Sequence, residues 1–111
     1  MSIPVPLEEL PATLAGYPWG YLVTVGDDLR AHSLAVPTDW RDGSLVMAAG
    51  RSTRANVAAR PDVTMVFPHP QAGEYSLILD GRAAEHPDES GGSLLVFTPS
   101  HAILHRPALP G

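Results

Sequence analysis

The chain has 111 residues, of which 44% are hydrophobic and 17% are charged, a composition typical of one globular domain spanning residues 1–111. Its formal net charge of −5 argues against nucleic acid as a partner, and the lack of cysteine excludes disulfides, thiolate catalysis and cysteine-based zinc sites. No apolar run approaches the roughly 20 residues that span a bilayer, and the N-terminus lacks a signal-peptide pattern. We therefore expect a cytoplasmic protein without a membrane partner.

In chain order, the first sixteen residues predict one or two helical turns. Leu7, Leu10 and Leu14 form an apolar stripe at helical spacing, and Pro11 keeps that helix short. Beyond Gly16, apolar and β-branched segments separated by turn residues predict seven short strands, at residues 21–25, 30–36, 44–49, 63–67, 75–85, 94–97 and 101–106.

One helix is predicted among these strands, at residues 52–60, where Pro61 stops it. The whole pattern predicts an all-β dominated fold with minor α content, either a sandwich or a barrel. Because an open sheet of this size exposes its edges, we expect closure into a barrel, pairing of two chains, or both.

The turn between the third strand and the helix has the chemistry of an anion site. Ser52 is a candidate N-cap, and the backbone N–H groups of the first helical turn favour a negative ligand. Arg51 and Arg54 lie in the same turn, where the helix dipole disfavours positive charge unless an anion such as a phosphate compensates it. The alternative is that both arginines are solvated or pair with Asp39 or Asp42 of the preceding loop.

Five segments together resemble the pyridoxamine 5′-phosphate oxidase-like, FMN-binding split-barrel family: residues 33–36, 45–49, 51–64, 75–81 and 97–107. The resemblance implies a split β-barrel of about seven strands with one short central helix. It also implies a homodimer with FMN, or the related deazaflavin F420, at the subunit interface, acting on a small-molecule substrate.

The resemblance also implies a set of cofactor-binding residues. It places the phosphate at the turn and the isoalloxazine on the second and third strands, with two residues of the last strand near the flavin across the dimer interface. This set is Ser33, Leu34, Ala35, Val36, Ala48, Ala49, Arg51, Ser52, Thr53, Arg54, Asn56, His105 and Arg106.

Two departures from the family pattern change these expectations. Counted back from Pro61, the turn is one residue shorter, so either Thr53 or Arg54 falls on the family's basic phosphate position. The chain ends at Gly111, before the C-terminal extension that carries the substrate-handling residues of the true oxidase, so we do not expect pyridoxamine phosphate oxidase activity itself.

The histidines do not form a recognisable metal-binding motif. His101 and His105 share a strand face, but no motif supplies a third metal ligand, so no metal site is predicted. Three functions remain open: a flavin-dependent oxidoreductase, a non-catalytic flavin- or heme-binding module for storage, sensing or stress protection, and a structural β-domain without a cofactor. A bound flavin would carry the redox chemistry itself.

Overall fold

The computed structural model describes residues 1–108 and is built around eight β-strands. The strands are β1 (Ser2–Pro4), β2 (Trp19–Val25), β3 (Ala31–Pro37), β4 (Trp40–Arg41), β5 (Ser44–Met47), β6 (Asp62–Phe67), β7 (Ser76–Pro87) and β8 (Ser93–His105). A 3-10 turn at Leu7–Glu9 leads into helix α1 (Leu10–Leu14), and helix α2 spans Arg51–Ala59. None of the helices within residues 1–108 has the length and apolar character needed to cross a lipid bilayer.

All eight strands belong to one antiparallel sheet, in the order β3-β2-β6-β7-β8-β5-β4, and β1 pairs with the end of β8. The sheet curls into a half-barrel, which confirms the predicted β-dominated split barrel with one central helix. Its interior is filled by Leu10 of α1 and by alternate apolar side chains of the strands, of which the largest fully buried are Phe67, Phe97, Leu22, Leu45, Met65, Leu77, Leu79 and Leu95. This alternation is the period of two that a half-buried strand requires.

The predicted elements differ from the structure mainly near prolines and at short strands. The two strands predicted at residues 94–97 and 101–106 form a single strand, β8, which runs through Pro99. Asp80 pairs with His101 and Gly81 with Pro99, so Ser100 has no partner and forms a bulge that accommodates the proline. Strands β1 and β4 were missed because each has only two or three residues. The turn predicted at Asp42-Gly43 is confirmed, with positive φ at both residues.

Helix α2 is attached across one end of the half-barrel, against β2 and β7, the two neighbours of β6. Val57 is its buried residue, and Arg60 at its C-terminal end donates to Asp27 in the turn after β2, at 3.0 Å. These contacts fix both the position of α2 and the direction in which its N-terminus opens, which decides where a ligand could bind.

Candidate functional site

Helix α2 begins two residues earlier than the predicted N-cap, Ser52, requires. Gly50, in an extended conformation, is the N-cap, and its carbonyl oxygen accepts the first helical hydrogen bond from the Arg54 N–H at 3.1 Å. The prediction that Ser52 is the N-cap is therefore wrong: Ser52 already lies inside the helix, where its backbone is helical. The N–H groups of Arg51, Ser52 and Thr53 have no acceptor within the helix and form the donor end of α2.

The Arg54 guanidinium turns back along α2 and is held between three elements. Its Nη1 donates to the Ser93 hydroxyl at 3.1 Å and lies 3.8 Å from Oε1 of Glu85, while its Nε lies 3.4 Å from the Gly50 carbonyl oxygen. With 36% of its side chain exposed, it is available to a ligand without extending into bulk water. Among the described residues Arg54 pairs with neither Asp39 nor Asp42 of the preceding loop: it faces Glu85, and Asp39 binds Arg41 at 2.8 Å.

Two neighbouring pockets, both lined by Arg54 and Glu85, form a cleft beside this guanidinium. The first part, of about 250 Å³, has a mainly apolar wall formed by α2, Pro61 and β7. The second part, of about 480 Å³, opens along the end of β7 and the loop before β8, past His86 and Gly91-Gly92. An open cleft with a guanidinium in its lining can hold a small anionic molecule.

The other predicted turn residues, Arg51, Ser52 and Thr53, precede Arg54 in the first turn of α2 and do not line the cleft. Arg51 and Ser52 are exposed, and Thr53 is half-buried. Within residues 1–108 the Arg51 guanidinium has no ion-pair partner, so it remains available to an anion at the donor end of α2. Because Arg54 lines the cleft and Thr53 does not, the structure favours Arg54 for the family's basic phosphate position.

Asn56 occupies a different environment from the rest of the predicted set. Its amide nitrogen donates to the Thr24 hydroxyl at 3.1 Å, and Thr24 is only 1% exposed. This hydrogen bond joins α2 to β2 and satisfies a buried polar atom. The geometry thus assigns the Asn56 amide to holding the helix on the barrel.

The predicted isoalloxazine-contacting segment, Ser33–Val36, lies in β3 at an open edge of the sheet. Hydrogen bonds from Gly26 to Arg30 and from Thr38 to Pro18 fix the phase of the β2–β3 ladder. Because hydrogen-bonded pairs alternate in antiparallel strands, Leu34 and Val36 bond to β2, whereas Ser33 and Ala35 direct their backbone N–H and C=O groups to the open side. Those free groups can hydrogen-bond a planar ligand or another strand.

Ala48, Ala49, His105 and Arg106 complete the predicted set and do not line the cleft. Ala48 and Ala49 follow β5 directly before Gly50. His105 bonds to Ser2 at 3.1 Å, and the Arg106 guanidinium lies 4.9 Å from the centre of the Tyr75 ring. Both lie at the far end of β8 from Ser93, roughly 40 Å along the strand, so within one chain they cannot meet a ligand held by Arg54.

No group of three potential metal ligands of the kind formed by His, Asp and Glu occurs among residues 1–108. His101 lies 3.7 Å from Asp80, and four residues of strand separate it from His105, a distance of about 13 Å. Because metal–nitrogen bonds are only about 2 Å long, that separation is too large for both imidazoles to bind one ion.

Glu85 and Ser93 are the site residues that sequence reasoning missed. Both lie in the β7–β8 hairpin, where Glu85 pairs with Leu95 and Pro87 with Ser93. The signal that could have found them is the register of β5 on β8: Met47 pairs with Leu95, so Ala49 and Gly50 approach Ser93. Without that register, no motif connects either residue to the turn.

Comparison with known proteins identifies close relatives in mycobacteria. The uncharacterized proteins Mb0449c of Mycobacterium bovis and MT0457 of Mycobacterium tuberculosis are each 39% identical to the chain over 119 residues, covering 96% of the chain and 83% of their own length. No family model matches the chain.

Solved structures with the same fold are more distant in sequence. A candidate pyridoxamine 5′-phosphate oxidase from Listeria innocua is 17% identical, with a TM-score of 0.74, 88% of this chain covered and 96% of that chain. An FAD-binding protein from Mesorhizobium loti is 15% identical, with a TM-score of 0.70 and coverage of 94% and 96%. An F420 reductase is 20% identical, with a TM-score of 0.68 and coverage of 81% and 93%.

A heme-binding protein from Mycobacterium smegmatis also shares the fold, at 16% identity and a TM-score of 0.68, with 90% of this chain and 53% of that chain covered. At these identities the likeness shows the fold alone. The chain thus belongs to the same family as the two mycobacterial relatives, and its fold is the split barrel of pyridoxamine 5′-phosphate oxidase-like, flavin-binding proteins.

Proposed function

We propose that this chain is a flavin-dependent oxidoreductase that binds FMN or F420 as a homodimer and acts on a small organic molecule. The observation that carries the proposal is the Arg54 guanidinium, which lines a cleft beside the donor end of α2 on a fold whose similar structures include FAD-binding and F420-reducing proteins. In this arrangement Arg54 and the first-turn N–H groups bind the cofactor phosphate.

The residues present fit a phosphate-bearing flavin at two places. The cleft supplies the charge, because Arg54 lines it and is oriented by Ser93, and Arg51 lies in the same turn of α2. The open edge of β3 supplies backbone donors and acceptors at Ser33 and Ala35, as a planar heterocycle requires. When bound, the cofactor accepts or gives up a hydride, while the chain orients it and excludes water.

A second copy of the chain is part of this proposal. His105 and Arg106 lie roughly 40 Å along β8 from the cleft, so they reach a cofactor held at Arg54 only if they come from another subunit. The open edge of β3 is also incomplete by itself, because β3 pairs with β2 alone within residues 1–108. Both observations support a site completed by two chains.

The phosphate role is tested by removing the two cations. The double variant Arg51→Ala/Arg54→Ala should bind FMN and F420 about 100-fold more weakly than the wild type, and riboflavin, which has no phosphate, within twofold of the wild type. Fluorescence titration measures all three. Arg82→Ala is the control, since Arg82 is an exposed arginine that pairs with Asp62 and lines neither part of the cleft. An equal loss for riboflavin and FMN would refute the phosphate role.

The alternative is a non-catalytic flavin- or heme-binding module for storage, sensing or stress protection. One observation favours heme in particular: His86 lines the polar part of the cleft and offers an imidazole, a common axial ligand of heme iron. Reduction of the bound cofactor followed by addition of electron acceptors separates the two functions. Reoxidation over many turnovers supports the oxidoreductase, and a Soret band that disappears in His86→Ala supports the heme module.

A further inference from the structure

We infer that the free edge of β7 beside α2 binds a small planar molecule that carries a cyclic amide. The free edge is the stretch of β7 from Ala83 to Pro87, where the pairing with β6 has already ended. The inference goes beyond the proposed function, because it concerns an uncharged ligand in the apolar part of the cleft and requires no bound flavin.

Strand β7 is longer than its neighbour β6 at the end where α2 lies. The register with β6 ends at Arg82, whereas the register with β8 continues to Pro87. One residue beyond Arg82, the Ala83 N–H still donates to the Pro61 carbonyl oxygen at 2.9 Å. Pro61 has no N–H to donate in return, so the ladder stops there and leaves the edge of β7 open.

The phase of this ladder decides which backbone groups the free edge presents. Because Ala83 bonds towards β6, every second residue after it faces the same way, so the N–H and C=O of Glu85 point away from β8. Pro87 follows at the same phase, where a residue without an N–H leaves the β7–β8 ladder intact. Glu85 therefore presents one donor and one acceptor side by side, without a backbone partner among residues 1–108.

The apolar pocket of about 250 Å³ lies against this edge. Three consecutive residues of β7, from Ala83 to Glu85, line it, although their side chains alternate between the two faces of the sheet. The pocket therefore meets the strand at its edge. The opposite wall is one face of α2 and the chain just beyond it, at helical spacing: Arg54, Val57, Ala58 and Pro61.

A cyclic amide is the ligand that this combination fits. The ring holds its N–H and C=O on one side, so both can pair with the C=O and N–H of Glu85, as the opposite residue does in an antiparallel ladder. The apolar wall of α2 covers the ring carbons. A peptide strand offers the same groups, but α2 packs where that strand would lie. The volume is below the roughly 300 Å³ of the smallest drug-sized sites, which limits the ligand to one or two rings.

Isoindolinone, a lactam fused to a benzene ring, is the probe for this site. It is titrated into the flavin-free chain and followed by the backbone amide NMR signals. The wild type should bind it with a dissociation constant of about 1 mM or tighter, with the largest shift at the Glu85 N–H. N-methylisoindolinone lacks the N–H and should bind about tenfold more weakly.

Two pairs of variants make the result specific. Glu85→Pro removes the backbone donor and should weaken isoindolinone about tenfold, whereas Glu85→Ala keeps that donor and should stay within about threefold of the wild type. Ala58→Leu fills the pocket from an exposed position and should abolish saturable binding. Ala55→Leu, at an exposed position of α2 that lines neither part of the cleft, should bind as the wild type does.

Three results would overturn the inference: equal affinity for isoindolinone and its N-methyl analogue, full affinity in Glu85→Pro, or binding retained in Ala58→Leu. The amide spectrum of each variant shows whether it folds, and the comparison of the two probes on the wild type needs no variant. A wild type that retains FMN or F420 and does not bind isoindolinone would overturn the inference and leave the proposed flavin site intact.

Discussion

At the scale of single residues, Asn56 was predicted to bind the cofactor, and its hydrogen bond in the structure indicates a structural role instead. Its amide donates to the buried Thr24 hydroxyl, so Asn56→Ala leaves that hydroxyl without its partner. We expect a loss of about 1–2 kcal/mol in the free energy of unfolding, with the preference for FMN over riboflavin unchanged. Urea unfolding of Asn56→Ala, Thr24→Val and the double variant measures the coupling. Additive losses would contradict the coupling of Asn56 to Thr24, and a lost phosphate preference at full stability would show that Asn56 serves the ligand instead.

At the scale of elements, the β7–β8 hairpin depends on a glycine opposite its bulge. A Cβ atom at Gly81 would lie 2.8 Å from the Phe97 ring and would overlap the Thr98 carbonyl oxygen. We expect Gly81→Ala to lower the free energy of unfolding by about 1–3 kcal/mol, because neither a buried ring nor a paired backbone can move aside easily. The control is Gly92→Ala, where the nearest neighbouring atom is 4.0 Å away. Equal thermal midpoints for the two variants would contradict this account of the bulge.

The same hairpin shows how far sequence reasoning reached. Alternating apolar residues predicted the interior of β7 correctly, because burial on one face leaves a period of two in the sequence. Pro99 suggested a break in β8, and only the opposing Gly81 reveals that a bulge absorbs it. Gly50 and Pro61, which bound the helical segment, correctly predicted that Arg54 lies near a helix start. Its partners Glu85 and Ser93 were not, because they depend on strand register between distant segments.

At the scale of the whole molecule, the outer face of the sheet carries an apolar row that crosses six strands in register. Successive neighbours in this row are Ala35, Tyr21, Val66, Ile78, Ile103 and Pro4. The row spans roughly 24 Å, and Trp19 stacks edge-on against Tyr21 at 5.1 Å beside it. The carboxylates that flank it have partners, since Asp80 faces His101 and Asp62 faces Arg82. Two copies of a chain with a net charge of −5 can approach through such a face without strong repulsion.

Ile78→Arg tests whether this row forms the homodimer interface that we propose. A guanidinium at the centre of the apolar row should weaken association at least 100-fold, because its charge would be buried without a partner. Sedimentation velocity at micromolar concentration should show a dimer for the wild type and a monomer for Ile78→Arg. Leu29→Arg, at an exposed leucine in the β2–β3 turn, should remain dimeric. A monomeric wild type would refute the homodimer, and a dimeric Ile78→Arg would place its interface elsewhere.

The central claim is that the cleft at Arg54 holds the phosphate of a flavin or deazaflavin. Its most direct test is the absorption spectrum of the purified chain, after saturation with FMN or F420 and removal of free ligand, together with the mass of whatever denaturation releases. The account predicts a retained flavin or deazaflavin band and a released molecule that bears a phosphate. A colourless protein that retains neither ligand would contradict it.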